Sequence, residues 1–169
     1  MSSPMATSCI FGSTLEMNKT IYFEDLTPGV RIALGSRRIE RDEIIAFARQ
    51  FDPQPFHVDE DAPQTRAVGG LMASGWHSCS ILMRLICDHF LIKAENGISP
   101  GVKDLRWPAP VRPGDTLTGF GKVLEARPSA TRPDQGLVRI RYSAVNQHGR
   151  LVVRMDSTAF FRRRGDQRK

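Results

Sequence analysis

No apolar run in the 169-residue chain approaches the ~20 residues that a membrane-spanning helix requires. The opening stretch, MSSPMATSCIFGSTLEMNKT, has neither the basic segment nor the sustained apolar segment of a secretory leader, so a cytoplasmic, membrane-free protein is expected. Cysteine is scarce as well. Its three copies, Cys9, Cys79 and Cys87, form an odd set without a CxxC pair, which argues against a disulfide framework and a zinc site and leaves buried thiols as the simpler reading. His77 and His89 stand twelve apart on one expected helix and His148 falls in an expected turn, so no metal site is read. Gly119 and Gly121 in GFGKV lack the third glycine and following helix of a dinucleotide loop, and no P-loop lysine motif occurs. No GxSxG elbow surrounds Ser74, which speaks against serine hydrolysis. No cofactor is expected from these patterns.

The net charge of +6 is unevenly spread, with a run of basic residues closing the chain as RRRGDQRK. A basic helix, an interleaved aromatic set and a nucleic-acid motif are all missing, so nucleic acid is not an expected partner. The tail reads as solvated, or as help for an anionic ligand.

Length and a 40% hydrophobic content suit one domain with a real core. Residues 1–19 are polar and patternless and read as a flexible leader, residues 20–163 as the domain, and residues 164–169 as the basic tail. RIALGSRRIE reads as a strand. RDEIIAFARQF spaces Ile44, Ile45, Phe47, Ala48 and Phe51 for a helix with acidic residues in its first turn. Pro53 and Pro55 disfavour helix at Asp52 and Gln54, so the chain is expected to leave this helix extended and stiff. From Gly75 to about Asn96, apolar residues spread nearly all round the axis, as in a buried helix about 33 Å long. Ser74 would cap its start and Gly97 its end. The remainder, GVKDLRW, DTLTGFGKVLEA, LVRIRYSAVN and RLVVRMDSTAFF, reads as consecutive strands separated by Pro and Gly turns. In the last of them Leu151, Val153 and Met155 alternate with Val152, Arg154 and Asp156, which predicts one buried and one wetter face. Arg84 and Asp88, at i and i+4, read as a helix pair. The fold class that follows is α+β, an antiparallel sheet wrapped around one long helix.

Within FDPQPFHVDEDA, Asp52 and His57 lie five apart, an offset that neither helix nor strand brings to one face. By themselves these two residues also read as a turn former and a surface residue. The run IIAFARQFDPQPFHVDEDAPQTRAVGGLMASGWHSCSILMRL, followed by LRWPAPVRPGDTLTGFGKVLEAR and NQHGRLVV, resembles the MaoC-like dehydratases, a hot-dog-fold group that includes (R)-specific enoyl-CoA hydratases. The resemblance covers about residues 21–162. It implies that Asp52 and His57 activate the water that adds to a trans-2-enoyl coenzyme A thioester, with dehydration as the reverse reaction. Asp52 would act as base and His57 would position or protonate, though the roles can be divided otherwise. The backbone N–H of Gly75, at the positive end of a helix dipole, would stabilise the thioester oxygen as it gains charge. Many members have His-Gly where this chain has Ser74-Gly75, which keeps that backbone donor. Ser74 and Phe56 are candidate substrate contacts. A hot-dog thioesterase and a noncatalytic acyl-CoA-binding module are the competing readings. A homodimer is expected, because a lone sheet around one helix leaves strand edges unpaired.

Overall fold

The computed structural model describes residues 13–16, 18–95 and 98–165. Cys9, Gly97, the tail beyond Gly165 and much of the expected leader lie outside the described residues. After a short turn at Phe23–Asp25, the chain forms β1 (Arg31–Arg38), α1 (Arg41–Phe51), α2 (Pro55–Val58), α3 (Pro63–Ala67) and α4 (Gly75–His89). It continues through β2 (Val102–Arg106), β3 (Thr116–Pro128), β4 (Gln135–Val145) and β5 (Leu151–Arg162).

The five strands form one antiparallel sheet in the order β1-β3-β4-β5-β2, with α4 packed against it. From Leu117 to Val123 of β3 the period of two is strict: Leu117, Gly119, Gly121 and Val123 point into the core, while Thr118, Phe120 and Lys122 face out. The two inward glycines explain how close the layers lie. A Cβ at Gly119 would stand 3.1 Å from Leu34 Cβ and 3.2 Å from a Leu85 methyl of α4, and one at Gly121 would stand 3.3 Å from Ile32. The helix answers with Ile81, Leu82, Leu85 and Ile86, all buried. GFGKV is therefore a packing feature of the sheet.

Three expectations need correction. First, α4 ends at His89 rather than near Asn96, so it is about 22 Å long at 1.5 Å per residue. Phe90 leaves the helix at φ −133°, ψ −64° and buries its ring against Phe161, with centroids 5.8 Å apart. The following residues then pair with the Ile21 segment, through Ile21 N–H to Lys93 O and Glu95 N–H to Ile21 O, each 2.9 Å. Side-chain periodicity carries no record of that long-range pairing. The helix is also not covered all round: Trp76 and Met83 remain 58% and 44% exposed.

Second, β5 does not alternate as expected, since Val152 and Val153 are both buried where the β4–β5 register slips between Ala144 and Val145. Asp156, on the face expected to be wetter, is buried beneath a bidentate pair from Arg141, at 2.7 and 2.8 Å. Third, the core draws on a residue of the expected 1–19 leader: Leu15 is buried in it and its N–H donates to Arg31 O at 2.9 Å. His89 lies against Gly35, which has φ +72° at the irregular point of β1, and fills the space a Cβ there would need.

Candidate active site

Asp52 is placed by the end of α1. That helix buries Ile44, Ile45 and Ala48, and Asp52 closes it with an N–H bond to Ala48 O at 2.8 Å while its own dihedrals, φ −154° and ψ 67°, leave the helical region. Pro53 enforces the exit. Gln54 is extended, at φ −75° and ψ 144°, as the prolines suggested, but the extension stops there. Pro55 occupies the first turn of α2, where its missing N–H costs nothing, and this one-turn helix carries His57 back toward Asp52. Thr65, fully buried, ties the turn down by offering its hydroxyl to Pro55 O and Asp59 O, at 3.2 and 2.6 Å.

The result brings the two residues together. His57 Nε2 lies 3.4 Å from Asp52 Oδ2. The other ring nitrogen, Nδ1, stands 2.7 Å from the carbonyl oxygen of Met72, which can only accept, so Nδ1 carries a proton and Nε2 is the nitrogen turned toward the carboxylate. Asp52 in turn accepts from the Ser74 hydroxyl at 2.6 Å and from the Gln54 amide at 2.7 Å. Those two hydrogen bonds, Ser74 first, hold its carboxyl below the usual carboxylate range, against the opposing effect of burial and with a smaller contribution from His57. Asp52 is therefore an ionised group whose side chain keeps 19% exposure, next to a buried histidine.

Ser74 has two tasks. It is the N-cap of α4, accepting from Trp76 N–H at 3.2 Å, and the same oxygen donates to Asp52. Gly75 opens the helix, so its N–H lacks an intrahelical acceptor. Asp52, His57 and Gly75 all line one cavity of about 450 Å³. Trp76 and Trp107 form its aromatic wall, edge to face with centroids 5.5 Å apart. A Cβ at position 75 would meet the Trp107 indole at 2.7 Å, so only glycine lets that ring lie across the first turn of the helix. Neither candidate substrate contact lines this cavity: Ser74 is fully buried, its hydroxyl turned to Asp52, and Phe56 packs against the His57 ring with centroids 4.5 Å apart.

Gln54, Thr65, Trp107 and the Met72 carbonyl were not legible as site residues. Gln54 had a local signal, its place between two prolines. A backbone carbonyl has none. Elsewhere, His77 is buried and stacked on Phe47 at 4.7 Å, and burial pushes its pKa down. No cluster of three or more potential metal ligands and no disulfide occurs among the described residues, Cys79 and Cys87 are only partly buried where buried thiols were expected, and Arg84 and Asp88 form the expected i,i+4 pair at 2.7 Å. No helix among the described residues is long and apolar enough to cross a membrane.

A sheet wound on one helix, with an Asp–His pair at that helix's N-terminus, defines a hot-dog protein of the MaoC type, and comparison with known proteins agrees. The MaoC like domain model matches residues 26–145, so the chain belongs to the MaoC-like family. It is similar to the crystal structure of a MaoC-like dehydratase from Rhodospirillum rubrum, with 42% identity, a TM-score of 0.79, and coverage of 85% of this chain and 98% of that one. An (R)-specific enoyl-CoA hydratase, also of Rhodospirillum rubrum, is 28% identical over 153 residues, covering 85% of this chain and 94% of the relative. An R-hydratase of Pseudomonas aeruginosa superposes with a TM-score of 0.69 at 25% identity, over 85% of this chain and 87% of that one.

Proposed function

We propose that the protein is a hydro-lyase that reversibly hydrates an enoyl-coenzyme A thioester, yielding a 3-hydroxyacyl thioester. The observation that carries this reading is the 3.4 Å approach of His57 Nε2 to Asp52 Oδ2 in the cavity that Gly75 also lines. Similarity to the Rhodospirillum rubrum (R)-specific enoyl-CoA hydratase supports the substrate class.

A water presented to the pair can donate one O–H to Nε2 and the other to Oδ2. As its oxygen bonds to C3 of the alkene, one proton passes to Nε2. The imidazolium so formed faces a carboxylate that Ser74 and Gln54 keep ionised. The alkene electrons move toward the thioester oxygen, where the Gly75 N–H and the helix dipole stabilise the developing charge. Nε2 then delivers its proton to C2, which restores the neutral histidine and consumes only water. In this division His57 moves the proton and Asp52 stabilises and aligns it.

The active unit in this proposal is a homodimer. The uncovered face of α4, with Trp76 and Met83, and the outer edge of β2, with Val102 exposed, are surfaces that a second copy would cover. A dimer in light scattering at micromolar concentration is expected, and a monomer would contradict it. Catalysis is tested by following loss of enoyl-thioester absorbance beside a free-thiol assay. Alkene loss without thiol supports the hydro-lyase; thiol release would make the protein a thioesterase, and binding without either would make it a noncatalytic module.

A further inference from the structure

The site depends on the segment between α3 and α4, residues 68–74, which has no regular secondary structure of its own. It supplies both the Met72 carbonyl that holds His57 and the Ser74 hydroxyl that holds Asp52. It begins with two glycines in the left-handed region, Gly69 at φ +81° and Gly70 at φ +113°, conformations that would strain other residues. The carbonyls of Val68, Gly70 and Leu71 converge on a single side chain, the guanidinium of Arg112. Its Nη2 donates to Val68 O, and its Nη1 donates to Gly70 O and, at 3.1 Å, to Leu71 O.

Arg112 is itself fixed from behind. Its backbone N–H donates to Asp115 Oδ2 at 2.8 Å, and Asp115, which is buried, also accepts from the Gln147 amide of the β4–β5 turn at 2.8 Å. Gln147 closes the link by accepting from Thr116 N–H at 3.0 Å. Next to Arg112, Val111 O accepts from Ala73 N–H at 2.9 Å. A continuous path of hydrogen bonds thus runs from the sheet, through Arg112, to the residue beside Met72.

We propose that Arg112 is a positioning residue: by clamping residues 68–71 it fixes the Met72 carbonyl, and so holds His57 with a proton on Nδ1 and its Nε2 aimed at Asp52. The choice of arginine has a physical reason. Three carbonyls in a half-buried loop need several donors in a fixed planar array, which a guanidinium provides and an ammonium does not. Arg112 also borders the cavity, but three of its N–H groups are engaged by backbone carbonyls, and through them it acts on the loop and Met72. The functional half of this inference rests on the reading of Asp52 and His57 as the reacting pair; the structural half, from Arg112 to His57, stands without it.

The test uses Arg112→Ala and Arg112→Lys in the full chain, with ¹⁵N NMR of the His57 ring and steady-state kinetics on an enoyl-thioester substrate. In its neutral form, the His57 ring of the wild type should show the Nδ1-protonated tautomer. In both variants the two tautomers should mix, and kcat should fall about 10–100-fold with KM little changed, by analogy with the loss of a partner that orients a metal-bound histidine. Millimolar guanidinium should restore part of both signals in Arg112→Ala. A folded variant that keeps the wild-type tautomer would overturn the proposal, as would a raised KM with unchanged kcat, which would make Arg112 a substrate contact. Should Arg112→Ala fail to fold, Arg112→Lys carries the same test, since it keeps the charge and the stem but not the fork. Because the tautomer is read without substrate, a failure of the hydratase reading would show as absent turnover with the NMR result intact.

Discussion

The sheet and the site segment are built on different principles. In β3, β4 and β5, each strand is fixed by a ladder running most of its length and by side chains that mostly alternate between core and solvent, with register slips at Val123–Glu125 and Ala144–Val145. Residues 52–75 have only two short helices, and their shape depends on individual polar bonds: His57 to Met72 O, Thr65 to two carbonyls, Ser74 to Asp52, Arg112 to three carbonyls. With many equivalent contacts, the first region keeps its shape when one is lost, and the loss is felt as stability. In the second, one bond commonly sets the position of one functional atom. Stability and activity should therefore respond to different residues.

The largest effect on stability should come from the core. Leu82→Ala removes a fully buried side chain between α4 and the sheet and should cost about 2–5 kcal/mol, read by denaturant unfolding, with turnover of the remaining folded protein close to normal. A smaller stability loss, about 1–3 kcal/mol, is expected for Gly75→Ala, whose Cβ meets the Trp107 indole at 2.7 Å. Here the two regions touch, so the comparison sharpens. Both tryptophans of the chain line the cavity, and displacement of Trp107 should change the intrinsic fluorescence and lower kcat together.

Acid should weaken the site through Asp52. Its folded pKa is depressed, so the stability it contributes is present above the ordinary value of 3.8 and is lost as pH falls through the folded value. Asp156, depressed by Arg141, acts in the same direction from within the sheet. Unfolding midpoints measured below about pH 4 should fall less steeply for Asp52→Asn and for Asp156→Asn than for wild type. An unchanged slope in both would show that neither hydrogen-bonded carboxylate matters to acid stability. The smallest effect belongs to the end of the chain. Arg164 N–H donates to Glu24 at 2.9 Å and its guanidinium to Asp25 at 2.7 Å, so the expected tail is anchored at its first residue. Deleting residues 165–169 keeps those bonds and should leave both Tm and kcat unaltered; a raised KM with kcat preserved would instead show the tail meeting an anionic group of the substrate.

Legibility in the sequence follows the same division. The five strands and α1 could be read from periodicity and turn residues, because the physics that fixes them is repeated along the chain. Asp52, His57, Ser74 and Gly75 stood out by residue type and by resemblance to a family. What could not be read were single contacts between distant segments: the Met72 carbonyl 15 residues from His57, Arg112 some 41 to 44 residues from its three carbonyls, and the pairing of Ile21 with Lys93 and Glu95 that ends α4 early. Phe56 illustrates the converse. Its position beside His57 suggested a substrate contact, whereas the tight turn of α2 sends its ring against the His57 imidazole.

The central claim is that Asp52 and His57 form one catalytic unit. Its most direct measurement is kcat for enoyl-thioester hydration by Asp52→Asn, His57→Gln and the double variant, with folding and thioester binding followed in parallel. Each single substitution should lower kcat by about 10²–10⁴-fold while the fold and binding persist. The double variant should lose little more than the worse single one, because groups acting as a unit are not additive. A folded, thioester-binding Asp52→Asn enzyme that hydrates at near the wild-type rate would contradict the account.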